Sequence, residues 1–400
     1  MHNKQNYNDM KKCLVLLILL LLLWSCNQSD CKYPSSELEA YEFDNEYVLF
    51  ELPKEEEVLN YKNDFFDFKE IYDFEPYRSN AISTPSEDTF YYECYVLKNH
   101  DFETGSIGGI SKTDIWKQGS RGDTLAILYR YRDFGYNGIS LAFSVDNGNS
   151  WEYYYTGITQ GKPLYVKWYS KYPLIDANGN IGIEACLLRQ FDDAEEPDIR
   201  HVADTLVKDG LFLMLDLATL RRDTDGDGLT DIVETRLHTD LNNPDTDNDG
   251  IPDNLDLTPR VSAPRTEKTL ALEAALNKDR RICFEYDPHG AIIPMTEEQG
   301  NYYVNETTDT YIVVTDDENL YGVRPNSSLR LVFVTKEENE AFFGKFDDGM
   351  KRYFVTPLCK VDHRKDTYIF SVSSMNWHNA YVAKKRNRGW DIRFTSITIE

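Results

Sequence analysis

Cationic side chains are scarce in this chain: 43 lysines and arginines stand against 68 aspartates and glutamates over 400 residues, a formal net charge of −25. Nucleic-acid binders need clustered cations to neutralise phosphates, so that class of partner is set aside. Broad contact with anionic lipid headgroups is disfavoured for the same reason. The seven histidines are scattered, without a His-Glu-x-x-His, and no Gly-x-Ser-x-Gly or phosphate-cradling glycine loop is found. A carboxylate pair for glycoside hydrolysis cannot be singled out among so many acids. The seven cysteines include no Cys-x-x-Cys, which argues against a zinc ribbon or a redox pair. Small buried thiols are expected, with one disulfide open after export.

Long apolar runs are also missing. The one strongly apolar stretch, Cys13–Trp24, has twelve residues, whereas a bilayer of ~30 Å takes roughly 20 helical residues to cross. Preceded by Lys11 and Lys12, it fits the apolar region of a secretory signal over residues 1–25. Leu23-Trp24-Ser25-Cys26 then resembles the bacterial lipobox, which implies cleavage before Cys26 and lipidation of that residue. Residues 26–40 read as a polar tether. The expectation is an exported, lipid-anchored protein of the cell envelope, at the outer membrane or cell surface, with the membrane as a partner through that anchor.

What is abundant is aromatic: 27 tyrosines and 20 phenylalanines, many in runs that alternate apolar with polar side chains. The fold class expected is mainly β with α+β. Residues 41–220 form a β-rich domain, with strands over 89–97, 123–133, 138–145 and 163–170 and a hairpin turn at 176–180. Rough helical spacing gives a helix over 55–74. Residues 260–400 form an antiparallel α+β domain, with helices over 266–278, opened by Thr266 as N-cap, and over 336–346.

Between them lies "DTDGDGLTDIVETRLHTDLNNPDTDNDGIPDNLD", residues 223–256. Asp223, Asp225, Asp227, Gly228, Asp231 and Glu234 occupy positions 1, 3, 5, 6, 9 and 12 of a twelve-residue calcium loop, with the Leu229 carbonyl at position 7. The pattern returns 22 residues on, as Asp245, Asp247, Asp249, Gly250, the Ile251 carbonyl, Asp253 and Asp256. A hard divalent cation takes six to eight oxygens at about 2.3–2.6 Å, and glycine permits the turn that wraps the chain around it. Residues 221–259 carry eleven acids and three arginines, net −8, so two Ca²⁺ cancel half of that charge. A strand-like entry and Pro252 within the second loop argue against an EF-hand switch with long flanking helices.

This stretch resembles the bacterial thrombospondin type-3 repeat, a family of calcium-binding arrays, over residues 223–259. The resemblance implies two bound Ca²⁺ in a connector over 221–259, with Asp240 and Asn242 as secondary ligands. A second resemblance is local: "SVDNGNSW" (144–151) is similar to the Asp-box of sialidases and related propellers, where it is structural. The leading expectation is a non-catalytic binding or scaffold lipoprotein whose connector calcium rigidifies. A glycan or a protein is the candidate ligand, and a calcium-stabilised glycan-active hydrolase is the rival reading.

Overall fold

The computed structural model describes residues 32–33, 53–77, 106–131, 138–159, 163–192, 202–278, 309–324, 329–343, 351–361, 364–374 and 377–398. The signal segment, Cys26, most of the tether and the strand expected over 89–97 lie outside the described residues. Among the described residues, no helix is long and apolar enough to cross a membrane.

The protein is mainly β, with a few short helices. Strand β1 (Lys32–Tyr33) is the first described element, and its partner strand comes more than 300 residues later. Helix α1 (Glu55–Leu59) covers only the first turn of the expected 55–74 helix. The Asn63 side chain breaks the pattern by accepting the Phe65 and Phe66 amides at 3.1 and 2.9 Å, an alternative to helical bonding. Gly157 leaves the space that Phe65 fills, since a Cβ there would stand 2.4 Å from its ring. The chain then runs on as strand β2 (Phe68–Glu70).

After the short hairpin β3 (Ser106–Ile107) and β4 (Ile110–Ser111), strands β5 (Ile115–Arg121), β6 (Thr124–Tyr131), β7 (Gly138–Ser144) and β8 (Glu152–Thr159) form an antiparallel meander. All seven residues of β7 are buried, so both its faces are covered. Strands β9 (Leu164–Val166), β10 (Ile181–Asp192) and β11 (Val202–Leu215) join β2 in a second antiparallel sheet, in the order β2-β11-β10-β9. The two sheets share one apolar core. The expected turn at 176–180 is present, with Asp176 accepting from Asn178, Asn180 and the Asn180 amide.

A cationic side chain is buried beside this core. Lys167 Nζ donates to Glu184 Oε1 at 3.0 Å and also pairs with Asp209, while Ser170 Oγ donates to the other Glu184 oxygen at 2.6 Å. Cys186 is also buried.

Helices α2 (Leu217–Arg221) and α3 (Asp231–Leu237) lead into and out of the first acidic loop. Helix α4 (Glu267–Lys278) begins where expected: Thr266 Oγ1 accepts the Thr269 amide at 3.2 Å, and Thr269 Oγ1 accepts the Thr266 amide at 2.9 Å. Strands β12 (Asp309–Val314) and β13 (Leu329–Val334), helix α5 (Lys336–Phe343) and strands β14 (Lys351–Val355), β15 (Cys359–Val361), β16 (Thr367–Ser374), β17 (Trp377–Arg386) and β18 (Gly389–Thr398) complete the chain. This last sheet is mixed rather than antiparallel as expected. Strand β12 is parallel to both β13 and β14; α5 lies in the chain between β13 and β14. The remainder, β14-β16-β17-β18, is antiparallel, and β1 adds in parallel against β15. Cys359 at that edge is disulfide-bonded.

The β12–β13 face alternates with period two. Tyr311, Val313, Leu331 and Phe333 face the core formed with α4. Ile312, Val314, Val332 and Val334 belong instead to the same cluster as the first two sheets and the connector residues Leu229, Ile232, Val233 and Leu237. The connector is thus a packed layer between the β-rich parts and not a free tether.

Candidate metal centre

The two acidic loops repeat in hydrogen bonds as well as in sequence. In the first, Asp223 accepts the Gly226 and Gly228 amides at 2.8 and 3.1 Å. Asp225 accepts from Asp227 at 3.1 Å, and Asp227 from Leu229 at 2.6 Å. In the second, Asp245 accepts from Asp249 and Gly250 at 3.1 and 2.8 Å, Asp247 from Asp249 at 3.1 Å, and Asp249 from Ile251 at 2.9 Å. Each backbone amide turned inward pulls a carboxylate into place, so three acids converge in each loop. Ligand oxygens of Asp223, Asp225 and Asp227 lie within 4.8 Å of one another, as do those of Asp245, Asp247 and Asp249. The turns need left-handed backbone: Gly226 and Gly228 have φ of 79° and 101°, while the second loop uses Asn248 at 58° and Gly250 at 94°. Asn is among the few side chains that adopt this region readily.

Position nine of each loop serves as a lock. Asp231 accepts the Thr224 amide and hydroxyl, both at 2.9 Å, and pairs with Arg222 at 2.6 Å. Asp253 accepts the Thr246 amide and hydroxyl at 2.9 and 2.6 Å. Their own amides close the loops at equivalent places, onto the carbonyls of Arg222 and Pro244 at 2.8 and 2.9 Å. These two acids therefore brace the loops through threonine.

Position twelve is different. Glu234 is 0 % exposed and Asp256 is 1 % exposed. Glu234 Oε1 meets only the Thr239 hydroxyl, at 3.5 Å, and Asp256 Oδ1 accepts the Thr258 amide at 2.8 Å. Their other oxygens have no donor, and neither does the buried Oδ2 of Asp225 or of Asp247. Each loop thus holds two buried carboxylate oxygens without a donor among the described residues, one at position three and one at position twelve. A buried carboxylate without a counter-charge costs several kcal/mol, and these four oxygens leave room for a cation to offset that cost in each loop. The donor set is hard oxygen throughout.

Electrostatics agree. Burial, reinforced by neighbouring acids, pushes Glu234 up to about 8, with Asp225, Asp227, Asp231 and Asp253 as the repelling charges. Asp247 rises to about 7 through burial and the charges of Asp256, Asp249 and Asp245. Asp227, Asp253 and Asp256 each rise to about 6, burial being the main cause in each case. Asp225 is raised as well, again chiefly by burial. The residues can hold a metal ion in each loop, and a divalent charge reverses every one of these shifts.

The side chain of Leu229 lies in the core at 1 % exposure, which anchors the first loop, while Ile251 is half-buried. Asp240 and Asn242 stay exposed, and Asp240 accepts the Asn242 amide at 3.1 Å in a local turn. Two contributors carried no signal in the sequence. Arg330 on β13 is 0 % exposed and donates to the carbonyls of Asp256 and Asn254 at 3.0 and 2.9 Å, gripping the second loop from behind. His238, at the left-handed end of α3, stacks on Phe342 of α5 at 4.1 Å between ring centroids. The threonine locks were legible in principle, since "DTD" opens both loops.

The Asp-box turn is built as expected. Asn147 and Gly148 take φ of 61° and 84°, and Trp151 Nε1 donates to the Gly148 carbonyl at 3.1 Å. Comparison with protein-family descriptions, with curated proteins and with solved structures finds no match.

Proposed function

We propose that this chain is an exported, lipid-anchored envelope protein of binding or scaffold type, and that two Ca²⁺ ions in residues 223–256 rigidify the layer joining its β-rich parts. The observation that supports this reading is the set of donorless buried oxygens, two in each loop, on Asp225, Glu234, Asp247 and Asp256. All-oxygen loops of this kind favour Ca²⁺ over softer ions, and extracellular calcium modules bind at about 10⁻⁴–10⁻³ M. Such sites fill outside a cell. A lipobox-like Cys26 and the disulfide at Cys359 suit the same location.

The role as a brace follows from what each loop touches. The first loop continues into α3, whose Ile232, Val233 and Leu237 are fully buried in the shared core. The second loop is held by Arg330, and the Leu331 amide donates to the Leu257 carbonyl at 2.8 Å. Ions in the two loops therefore tie α3 to the C-terminal sheet. The spacing and loop chemistry are those of the thrombospondin type-3 array that the sequence resembles.

Calorimetric titration of the full chain with Ca²⁺, beside Asp225→Ala and Asp247→Ala variants, tests the reading. Two ions bound by the unsubstituted chain, and one by each variant, are expected. No heat of binding at millimolar Ca²⁺ overturns it.

A further inference from the structure

The two loops are not independent, and one residue shows why. Asn254 sits in the second loop, but its amide N–H donates to Asp227 Oδ2 of the first at 3.1 Å. Its Nδ2 lies 3.1 Å from the point where a Cβ on Gly228 would stand, so the side-chain amide rests over the first loop's glycine. The other end of that amide, Oδ1, is buried and has no donor. The residue equivalent to Asn254 in the first loop, 22 positions earlier, is Ile232, wholly buried and apolar. That side chain has no donor or acceptor to offer the second loop.

Resting on the calcium reading above, we infer that the Asn254 side-chain oxygen is a ligand of the ion held by the first loop, so that this site is assembled from both loops and fills in a coupled way with the second. A side-chain amide oxygen is a normal calcium donor. Asp225 Oδ2, Glu234 Oε2 and Asn254 Oδ1 are then the three donorless buried oxygens around one ion. Asn254 also ties that ion to the C-terminal sheet, because its carbonyl is the acceptor for Arg330. Coupling between the sites is necessarily reciprocal, so an ion in the second loop, by ordering Asn254, favours the first, and the first favours the second.

Calcium titration of the full chain carrying Asn254→Ala tests this, with melting in chelator as the check on folding. One of the two sites is expected to weaken by at least about tenfold, the scale seen when metal-site groups are removed. Asn254→Asp is expected to retain the affinity, since a carboxylate oxygen replaces the amide oxygen; a role limited to the Nδ2 group is not rescued that way. In an Asp225→Ala background, Asn254→Ala is expected to leave the surviving second site within about twofold. Two outcomes overturn the inference: unchanged affinity at both sites in Asn254→Ala, or a surviving second site that weakens as much as the first did. Both require that the unsubstituted chain binds two ions. If it binds none, the calcium reading itself has failed and Asn254 with it.

Discussion

Glu184 and Glu234 are equally hidden, at 1 % and 0 % exposure, yet the protein treats them in opposite ways. Glu184, on a strand of the first part, meets Lys167 Nζ at 3.0 Å and Ser170 Oγ at 2.6 Å. Glu234, on the connector, faces four aspartates, and one of its oxygens has no donor. Two acidic turns repeat the contrast. Asp146 of the Asp-box accepts from Ser144 Oγ, the Ser150 amide and Ser150 Oγ, at 2.8, 2.9 and 2.6 Å, and those bonds hold it down at about 2. Asp247, in an equally tight turn, is pushed up to about 7. Acidic turns look alike in sequence. What separates the two turns is whether the chain itself supplies donors to the carboxylate oxygens or leaves a buried one without any.

The comparison breaks most readily at the built-in cation. Lys167→Ala strands Glu184 and Asp209 without their partner, and breaking such a buried pair costs about 3–5 kcal/mol. Urea denaturation should show this loss equally with and without calcium. A loss present only in one condition means the two regions are not independent. Calcium removal comes next. At free Ca²⁺ about tenfold above Kd, each ion contributes about 1.4 kcal/mol to the folded state, so chelation should cost on the order of 3 kcal/mol for two sites. Proteolysis is expected to move to the connector at the same time. Unaltered melting after chelation and after millimolar replenishment would falsify the brace.

These expectations show what was readable beforehand. The loops were legible because their chemistry is local: position, carboxylate and glycine spacing all lie within twelve residues. The helix at Thr266 was legible through its cap, while the cap of the helix at Lys336 was not read: Thr335 Oγ1 accepts the Glu338 amide at 3.1 Å and Glu338 accepts the Thr335 amide at 2.8 Å. The break in the 55–74 segment was not, because Asn63 and the hollow at Gly157 decide it, and the second of these lies about ninety residues away. The parallel pairing of β12 with β13 and β14 likewise depends on crossovers rather than on apolar spacing. Arg330 and Lys167 read as ordinary surface cations in the sequence; only the fold turns them inward.

A sign reversal sharpens the comparison further. Glu234→Gln keeps the shape of the side chain and removes its charge. In chelator near neutral pH the variant should melt higher than the unsubstituted protein, by on the order of 1 kcal/mol, because a neutral amide avoids the cost of protonating Glu234 among the buried acids. In millimolar Ca²⁺ it should melt lower, having lost a charged ligand. The equivalent change at Glu184, Glu184→Gln, should destabilise in both conditions, since Lys167 then loses its counter-charge. Crossing melting curves for one glutamate and parallel ones for the other are the expected pattern; parallel curves for both would place Glu234 outside the ion's reach.

The contrast also extends to pH. Glu234 at about 8, Asp247 at about 7 and Asp227, Asp253 and Asp256 at about 6 all lie above the ordinary carboxylate range in the metal-free fold. A carboxyl raised in the folded state binds more protons there than when unfolded. Its contribution is complete below the unfolded value near 4 and is lost as pH rises through the folded value. In chelator, stability should therefore fall between about pH 5 and pH 8, opposite to the usual rise for paired carboxylates. Saturating Ca²⁺ keeps these groups ionised across that window, so the slope should flatten, and the difference must appear as protons released on binding. Titrations near pH 6.5 in two buffers of unlike ionisation enthalpy measure that release directly. Equal heats in both buffers would mean the loop acids are already ionised before the ion arrives, and the contrast between Glu234 and Glu184 would then lose its electrostatic basis.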